Sequence, residues 1–570
     1  MNLFFLRYVK RVSRILLNAL PLPVSYLLSV CFRLEMPLSV QLYKLSKGQP
    51  RPGHAEISAS NKLKPKILIA PIFGFSQATL AAESTFARAL LAVGASVEFL
   101  SCGRGLNHCM WDSLGHLSTT KPNLSEKLAR KVRCLECTTS VDAISKAAVN
   151  KKALVLDRST ITPIKLINKN SDLIAKASDE HATSSSLRKL LVGELTDSPK
   201  DQVVYRNFHR AHEEYKDMLA SLFDNELPDR VIMTHGIYLE HGPLIDICHE
   251  RSIPVYVYGF SYREKTISIV KGDTYHRALL NISRDRWDYP LSSVQKAQLL
   301  EYIGSKVSGG RDMVNYHPNP KTSKAGIVDE LALDLEKPVI SFFTNVTWDA
   351  NIFYSSNIYE GMLEAIFHTI DYFLIDSSKQ LIVRVHPAET KGGFSTKVRL
   401  KDMIEERYPS LPGHIKLIGS ESDIGSYSLA DLSDLNVIYA SNIGTELCAL
   451  GHKVMVLGEA YCRNRGFTID PVSQDDVWQE LSKVLKGEKA SQADHELGEK
   501  FAYFWFFKAM IDFDFFDYSI SNNSLAYFSE DIISLTNDSG EIENANLSEI
   551  VSAIVNGRDF DYQKFNSELN

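Results

Sequence analysis

Apolar residues fall along this chain in short unbroken runs, and stretches with a helical period separate them. Lys66–Ala70, Val97–Leu100, Ala153–Leu156, Val231–Thr234, Val255–Tyr258 and Thr266–Val270 read as strands. Ala78–Val93, Tyr205–Phe223 and Leu239–Arg251 read as helices, the first ending where Gly94 supplies a C-cap. After a polar, charged stretch over Val307–Lys337 the alternation restarts. Strand Val339–Phe343, helix Ile358–Phe373 and strand Leu381–Val385 are followed by strands Ile415–Ile418, Val437–Ala440 and Val454–Leu457. Strand–helix–strand order builds βαβ units. The expected class is therefore α/β, with two Rossmann-like doubly wound lobes facing a cleft.

The boundaries follow from shifts in pattern. Residues 1–60 form a basic, apolar N-terminal segment and linker; 61–320 the first lobe, with a four-cysteine insertion. Residues 335–490 form the second lobe, and 491–570 an aromatic helical return with a polar tail. Before Glu35 there are five basic residues (Arg7, Lys10, Arg11, Arg14, Arg33), no acid, and a mostly apolar remainder. No clean cleavage site follows, and Asn18, Pro21 and Pro23 interrupt the apolar run, so neither a signal peptide nor a spanning helix fits well. A helix lying on anionic lipid fits better; a helix packed on the protein body is the alternative. Near the other end, the aromatics from Phe501 to Phe507 and on to Tyr518 read as core packing rather than a binding platform.

Composition narrows the class. The 570 residues exceed one core, and 44% hydrophobic with 23% charged residues is an ordinary globular balance. A net charge of −6 argues against nucleic acid as partner, and eight dispersed cysteines argue against a secreted disulfide framework. The expected location is cytoplasmic, peripheral on the inner face of the membrane if the N-terminal helix lies on lipid.

Polar chemistry clusters just past strand ends, where open α/β sheets bind ligands. In Leu381-Ile-Val-Arg384-Val-His386-Pro387-Ala-Glu389, Arg384 and His386 lie two apart and share a side, and Pro387 ends the strand. His386 could then donate to a phosphate, tuned by Glu389. In Ser441-Asn442-Ile-Gly444-Thr445-Glu446, Ser441 and Asn442 can cap a helix and Gly444 allows close backbone approach. The helix terminus favours an anion, and Glu446 could accept sugar hydroxyls. Arg463 and Arg465 follow in the turn Gly458–Phe467. After the first strand of the second lobe, Asn345, Thr347 and Asp349 form an equivalent polar edge, although a capped loop would use the same residues. For a catalytic base the candidates are His235, Glu83 and Asp349, none testable for reach from sequence. Metal need not take part in catalysis, because Arg384, His386 and the helix terminus can offset phosphate charge.

Cys102 and Cys109 precede a C-x-x-C pair, Cys134 and Cys137. Four thiolates could close a structural zinc site, with unrelated thiols and redox or iron–sulfur roles as alternatives.

With these residues assembled, the chain resembles the bacterial capsule polysaccharide biosynthesis family, which includes glycosyltransferases of GT-B architecture. The resemblance rests on Asn345–Asp349, Arg384-Val-His-Pro387, Ser441–Glu446 and Tyr461–Phe467, mainly within residues 335–470. It implies transfer of a sugar from a nucleotide, a CMP-sugar such as CMP-Kdo before a UDP-sugar, to a growing glycan or lipid-linked acceptor. By that analogy His386 and Ser441 bind the nucleotide phosphate and Glu446 the ribose. The inner membrane surface and polysaccharide-assembly proteins are the further partners expected. Two alternatives stand beside it: a 2-epimerase or polyol-phosphate transferase of similar fold, and a non-catalytic assembly factor.

Overall fold

A computed structural model describes residues 64–566, apart from 73, 75, 107, 111–123, 157–158, 160–171, 308–311, 313–318, 351, 355, 392–394, 520–524, 529–534 and 536–540. The N-terminal basic segment lies outside the described residues. No helix among the described residues is long and apolar enough to cross a membrane.

The chain forms two compact units, each discontinuous in sequence. The first gathers the described residues up to Ser186, then Thr196–Tyr258 and Asp514–Asp559. Its strands are β1 (Lys66–Ile72), β2 (Ser96–Ser101), β3 (Leu154–Val155), β4 (Arg230–Thr234) and β5 (Val255–Phe260). They are ordered β3-β2-β1-β4-β5, and the pairs are parallel. Its helices are α1 (Gln77–Ala92), α2 (Leu124–Val149), α3 (Asp172–Leu190), α4 (Pro199–Asn225) and α5 (Gly242–Glu250). α1 starts at Ser76, whose hydroxyl accepts from Thr79 N–H, and ends at Gly94, where φ is +86°. α4 begins with Ser198 as cap and Pro199 in its first turn, and buries Val204, Phe208, Ala211, Tyr215, Met218, Leu219 and Phe223 along one stripe.

The second unit comprises Leu187–Leu195, Gly259–Phe513 and Phe560 onward. Here β6 (Thr266–Lys271) is followed by β7 (Val339–Phe343), β8 (Gln380–Arg384), β9 (Ile415–Ile418), β10 (Leu435–Ile438), β11 (Val454–Val456) and β12 (Ile511–Asp512). Five of them form a parallel sheet ordered β9-β8-β7-β10-β11, and β12 pairs antiparallel with β6. The helices used below are α6 (Ser293–Val307), α7 (Met362–Ile375), α8 (Ile443–Ala449) and α9 (Gln492–Phe504). Ile340, Phe342, Leu381, Val383, Val437 and Met455 of the sheet are buried with Ile366, Ile370 and Phe373 of α7 in one core.

The expected α/β class with two Rossmann-like parallel sheets is present. Both sheets run third, second, first, fourth, fifth strand, so each reverses direction beside its first strand. That reversal opens a crevice past the carboxyl ends of the first and fourth strands.

The unit boundaries differ from 61–320 and 335–490. β6 and α6 belong with the second unit because α6 packs on α9, tied by Lys296 Nζ to Glu499 at 2.7 Å, and Lys500 Nζ reaches Asp288 at 2.8 Å. Within the expected C-terminal return, the helix Ala545–Asn556 packs on α1 of the first unit. The aromatic segment Phe501–Phe507 is core, every side chain in it buried and Tyr503 stacked on Phe507. The expected return is not helical throughout: Phe516–Ser519 and Leu525–Phe528 pair as antiparallel strands.

Candidate functional site

In the second unit the crevice lies past β7 and β10, and the loops around it are joined by side chains. Thr344 Oγ accepts from the backbone N–H of His386 at 3.0 Å, linking the ends of β7 and β8. Asn345 Oδ1 accepts from Ala440 N–H at 3.1 Å, linking the ends of β7 and β10. Thr344 itself had no distinguishing sequence signal, being one more polar residue after an apolar run.

His386 is half-buried beyond the end of β8. Its Nδ1 accepts from Ala388 N–H at 3.1 Å, a bond inside the turn that Pro387 makes. Acceptance at Nδ1 assigns the hydrogen of the neutral ring to Nε2, which is thereby a donor.

Arg384 departs from the expectation that it shares a side with His386. β8 ends at Arg384, so strand alternation no longer governs His386. The guanidinium is buried and donates to the carbonyls of Gly419 and, at 3.1 Å, Ser422. It holds the loop after β9 through these two carbonyls. Glu389 is likewise turned inward: it accepts from Leu400 N–H at 2.7 Å and Ser420 Oγ at 3.1 Å, and burial raises its carboxyl above the ordinary range.

Glu446, expected to contact the ribose, is paired within the unit. Its side chain is 6% exposed and Lys306 Nζ, from α6, meets it at 2.8 Å. Tyr427 donates to its other oxygen at 2.6 Å, and Asn442 Nδ2 approaches at 3.3 Å. Burial opposes the charge on Lys306, yet Glu446 and Asp312 outweigh it and hold the amine above the usual lysine range. Asp312 lies 2.8 Å from the same nitrogen and accepts from Tyr302 at 2.7 Å. The pair is 140 positions apart in sequence, and no local pattern announces it.

The turn before α8 is also built for packing. Asn442 occupies the cap position without a side-chain cap bond, its amide taken by Glu446 and by Trp505 Nε1 at 2.8 Å. Gly444 is required by β10: a Cβ there would lie 2.3 Å from Ile438 Cδ1 and 3.1 Å from Cys462 Sγ. The close approach it permits is helix to strand. Thr445 is buried, and Ser441 is half-buried at the crevice. α8 is only seven residues long, which limits the dipole it presents. Arg463 and Arg465 are buried too; Arg463 donates to Gly458 and Pro471 carbonyls at 3.1 and 3.2 Å, and Arg465 to Leu279 and Leu280 carbonyls at 3.2 and 2.8 Å.

Of the base candidates, Asp349 is exposed and paired with Arg188, whose guanidinium stacks 5.5 Å from the Trp348 ring centre. Thr347 is buried against Gly193, where a Cβ would come within 2.7 Å of its own. His235 and Glu83 belong to the first unit. His235 follows β4 with φ +65°, a left-handed conformation uncommon for a side-chain-bearing residue, and its N–H donates to Tyr258 O at 2.9 Å. Glu83 is fully buried in α1, and burial pushes its carboxyl well above the ordinary range.

Cys102, Cys134 and Cys137 lie within electrostatic reach of one another: burial first, and then these neighbours, raise the Cys102 and Cys137 thiols. Cys137 is buried and its sulfur accepts from Gly74 N–H at 3.0 Å, while Cys102, Cys109 and Cys134 are half-buried. Among the described residues, the metal-ligating side chains that converge to within 4.8 Å are His181, His212 and Asp246.

No family model matches this chain. No curated protein matches it either. Among solved structures it is similar to the beta Kdo 2,4 transferase KpsC of Thermosulfurimonas dismutans, at 12% identity over 49% of this chain and 79% of that one, with a TM-score of 0.31. The beta Kdo 2,7 transferase KpsC of the same organism gives 15% identity over 55% and 87%, with a TM-score of 0.29. A UDP-GlcNAc 2-epimerase of Methanocaldococcus jannaschii gives 9% identity over 78% and 99%, with a TM-score of 0.26. The architecture of the present chain is carried by its own two parallel sheets.

Proposed function

We propose that this chain is a glycosyltransferase that binds a nucleotide-sugar donor at the carboxyl edge of the second unit's sheet. The observation that carries the reading is the turn in which Ala388 N–H occupies His386 Nδ1 and assigns the hydrogen to Nε2. A neutral imidazole fixed in that tautomer is preset to donate to a phosphate oxygen, with no proton to be gained first. Asn345 and Thr344 brace the loops beside it, and Ser441 adds a hydroxyl on the far side of the strand reversal.

In this reading His386 Nε2–H stabilises the negative charge that builds on the leaving phosphate as the glycosidic carbon takes on oxocarbenium character. A hydroxyl of a glycan or lipid-linked acceptor then forms the new bond, and a base removes its proton. A CMP-sugar such as CMP-Kdo is the first donor to test and a UDP-sugar the second. Arg384, Glu389 and Glu446 shape the pocket from behind.

The experiment is thermal stabilisation of the purified chain by a panel of CMP- and UDP-sugars. At a concentration of about one hundred times Kd, the expected gain is about 2.7 kcal/mol. His386→Ala is expected to weaken that binding at least about tenfold, the loss of one charge-assisted hydrogen bond worth about 1.5–3 kcal/mol. A panel with no stabilising nucleotide sinks the proposal. Incubation with donor alone separates the chemistries: an epimerised nucleotide sugar would replace glycosyl transfer by epimerisation.

A further inference from the structure

Three helices of the first unit bring two imidazoles and a carboxylate together in its interior. His181 comes from α3, His212 from α4 and Asp246 from α5. His212 Nε2 lies 3.2 Å from Asp246 Oδ2, and His181 Nε2 lies 3.7 Å from Asp246 Oδ1. One ligand atom from each residue falls within 4.8 Å of the other two. Bonds of about 2.0–2.1 Å to a tetrahedral zinc ion set neighbouring ligand atoms about 3.3–3.4 Å apart. The two separations, made to different oxygens of the Asp246 carboxylate, lie close to that edge.

The surroundings orient the rings. His181 Nδ1 bonds the carbonyl of Ile237, so this nitrogen carries a hydrogen, and in the neutral ring Nε2, on the Asp246 side, is the nitrogen that can ligate a cation. A metal-bound histidine characteristically donates its other ring hydrogen to a carbonyl or carboxylate in this way. The His181 ring lies against Gly242, where a Cβ would come within 2.4 Å of Nδ1. His181 and His212 are 6% and 0% exposed, which shields the set from competing water. The other charges near it, Glu180, Glu213 and Lys216, flank the cluster, and Lys216 is paired with Glu250 at 2.8 Å.

We propose that His181 Nε2, His212 Nε2 and Asp246 bind a zinc ion, with the fourth position left to water or an incoming oxygen ligand. Two imidazoles and one carboxylate are a zinc donor set, and the same set with more open positions suits ferrous iron.

The test uses the untagged full-length chain, dialysed against zinc and then against metal-free buffer. The expected metal content is roughly one zinc per chain, retained in Cys134→Ser and reduced at least about tenfold in His212→Gln and Asp246→Asn. Cobalt substitution of the unmutated chain gives a readout that survives any folding defect of the variants. Nitrogen and oxygen ligation gives visible d–d bands without thiolate-to-cobalt charge transfer. Zinc content near zero, charge-transfer bands of thiolate, or zinc lost in Cys134→Ser would each overturn the assignment; iron retained in preference to zinc would overturn its metal.

Discussion

The carboxyl of Glu83 lies in the second turn of α1 with no exposure to solvent, beside the hydroxyl of Tyr258. Burial raises its folded value well above that of the unfolded chain. Its contribution to stability is therefore complete below the unfolded value and is lost as pH rises toward the folded one. As pH rises above the ordinary carboxylate range, wild-type melting temperature should fall by more than that of Glu83→Gln, which carries no titratable proton. Parallel profiles in differential scanning calorimetry would exclude this role for Glu83. The same burial disfavours the ionised carboxylate that a resting general base requires. His386 shows the opposite case. A single backbone bond settles its tautomer, and the dipeptide with Pro387 was the visible sign of that turn.

Elements were legible wherever burial on both faces produces a continuous apolar run. Val339–Phe343 is a strand over its full expected length, and Val255–Tyr258 lies wholly within β5. Helix α4 extends beyond Tyr205–Phe223 because its first turn is polar, marked by Ser198 and Pro199 rather than by period. What failed to show was the direction of long polar side chains. Arg384, Glu389, Glu446, Arg463 and Arg465 were placed near the right loops, yet their charged ends are buried within the unit. The three arginines donate to backbone carbonyls, Glu389 accepts from Leu400 N–H and Ser420 Oγ, and Glu446 meets Lys306 and Tyr427, partners fixed by the fold rather than by local pattern. This yields a sharp contrast between Glu446 and His386. Glu446→Gln leaves Lys306 with Asp312 alone and should destabilise the chain by about 3 kcal/mol in denaturant unfolding without any nucleotide present. A Glu446→Gln variant of normal stability that no longer binds nucleotide would restore the ribose role. Gly444→Ala should cost about 1–3 kcal/mol, since Ile438 and Cys462 must shift to admit a methyl group.

At the scale of the molecule, the two sheets share one strand order, but the polar groups gathered in each unit differ in kind. The second unit offers hydrogen-bond donors on loops at a strand reversal, as suits an exchangeable anion. The first holds a buried set of two histidines and a carboxylate on helices, as suits a resident cation. Binding stabilises most strongly the segments whose opening would break the contacts made, so the two ligands should leave separate footprints in amide hydrogen exchange. A bound nucleotide sugar should slow exchange at Thr344–Thr347, Val385–Glu389 and Tyr439–Thr445. Zinc should slow it over His181–Ser186, Phe208–Tyr215 and Leu244–Cys248. His386→Ala should erase the first footprint and leave the second, while His212→Gln should do the reverse. Were zinc to protect the loops after β7, β8 and β10 instead, the cation would belong with the donor and a metal-assisted transfer would replace the histidine-assisted one.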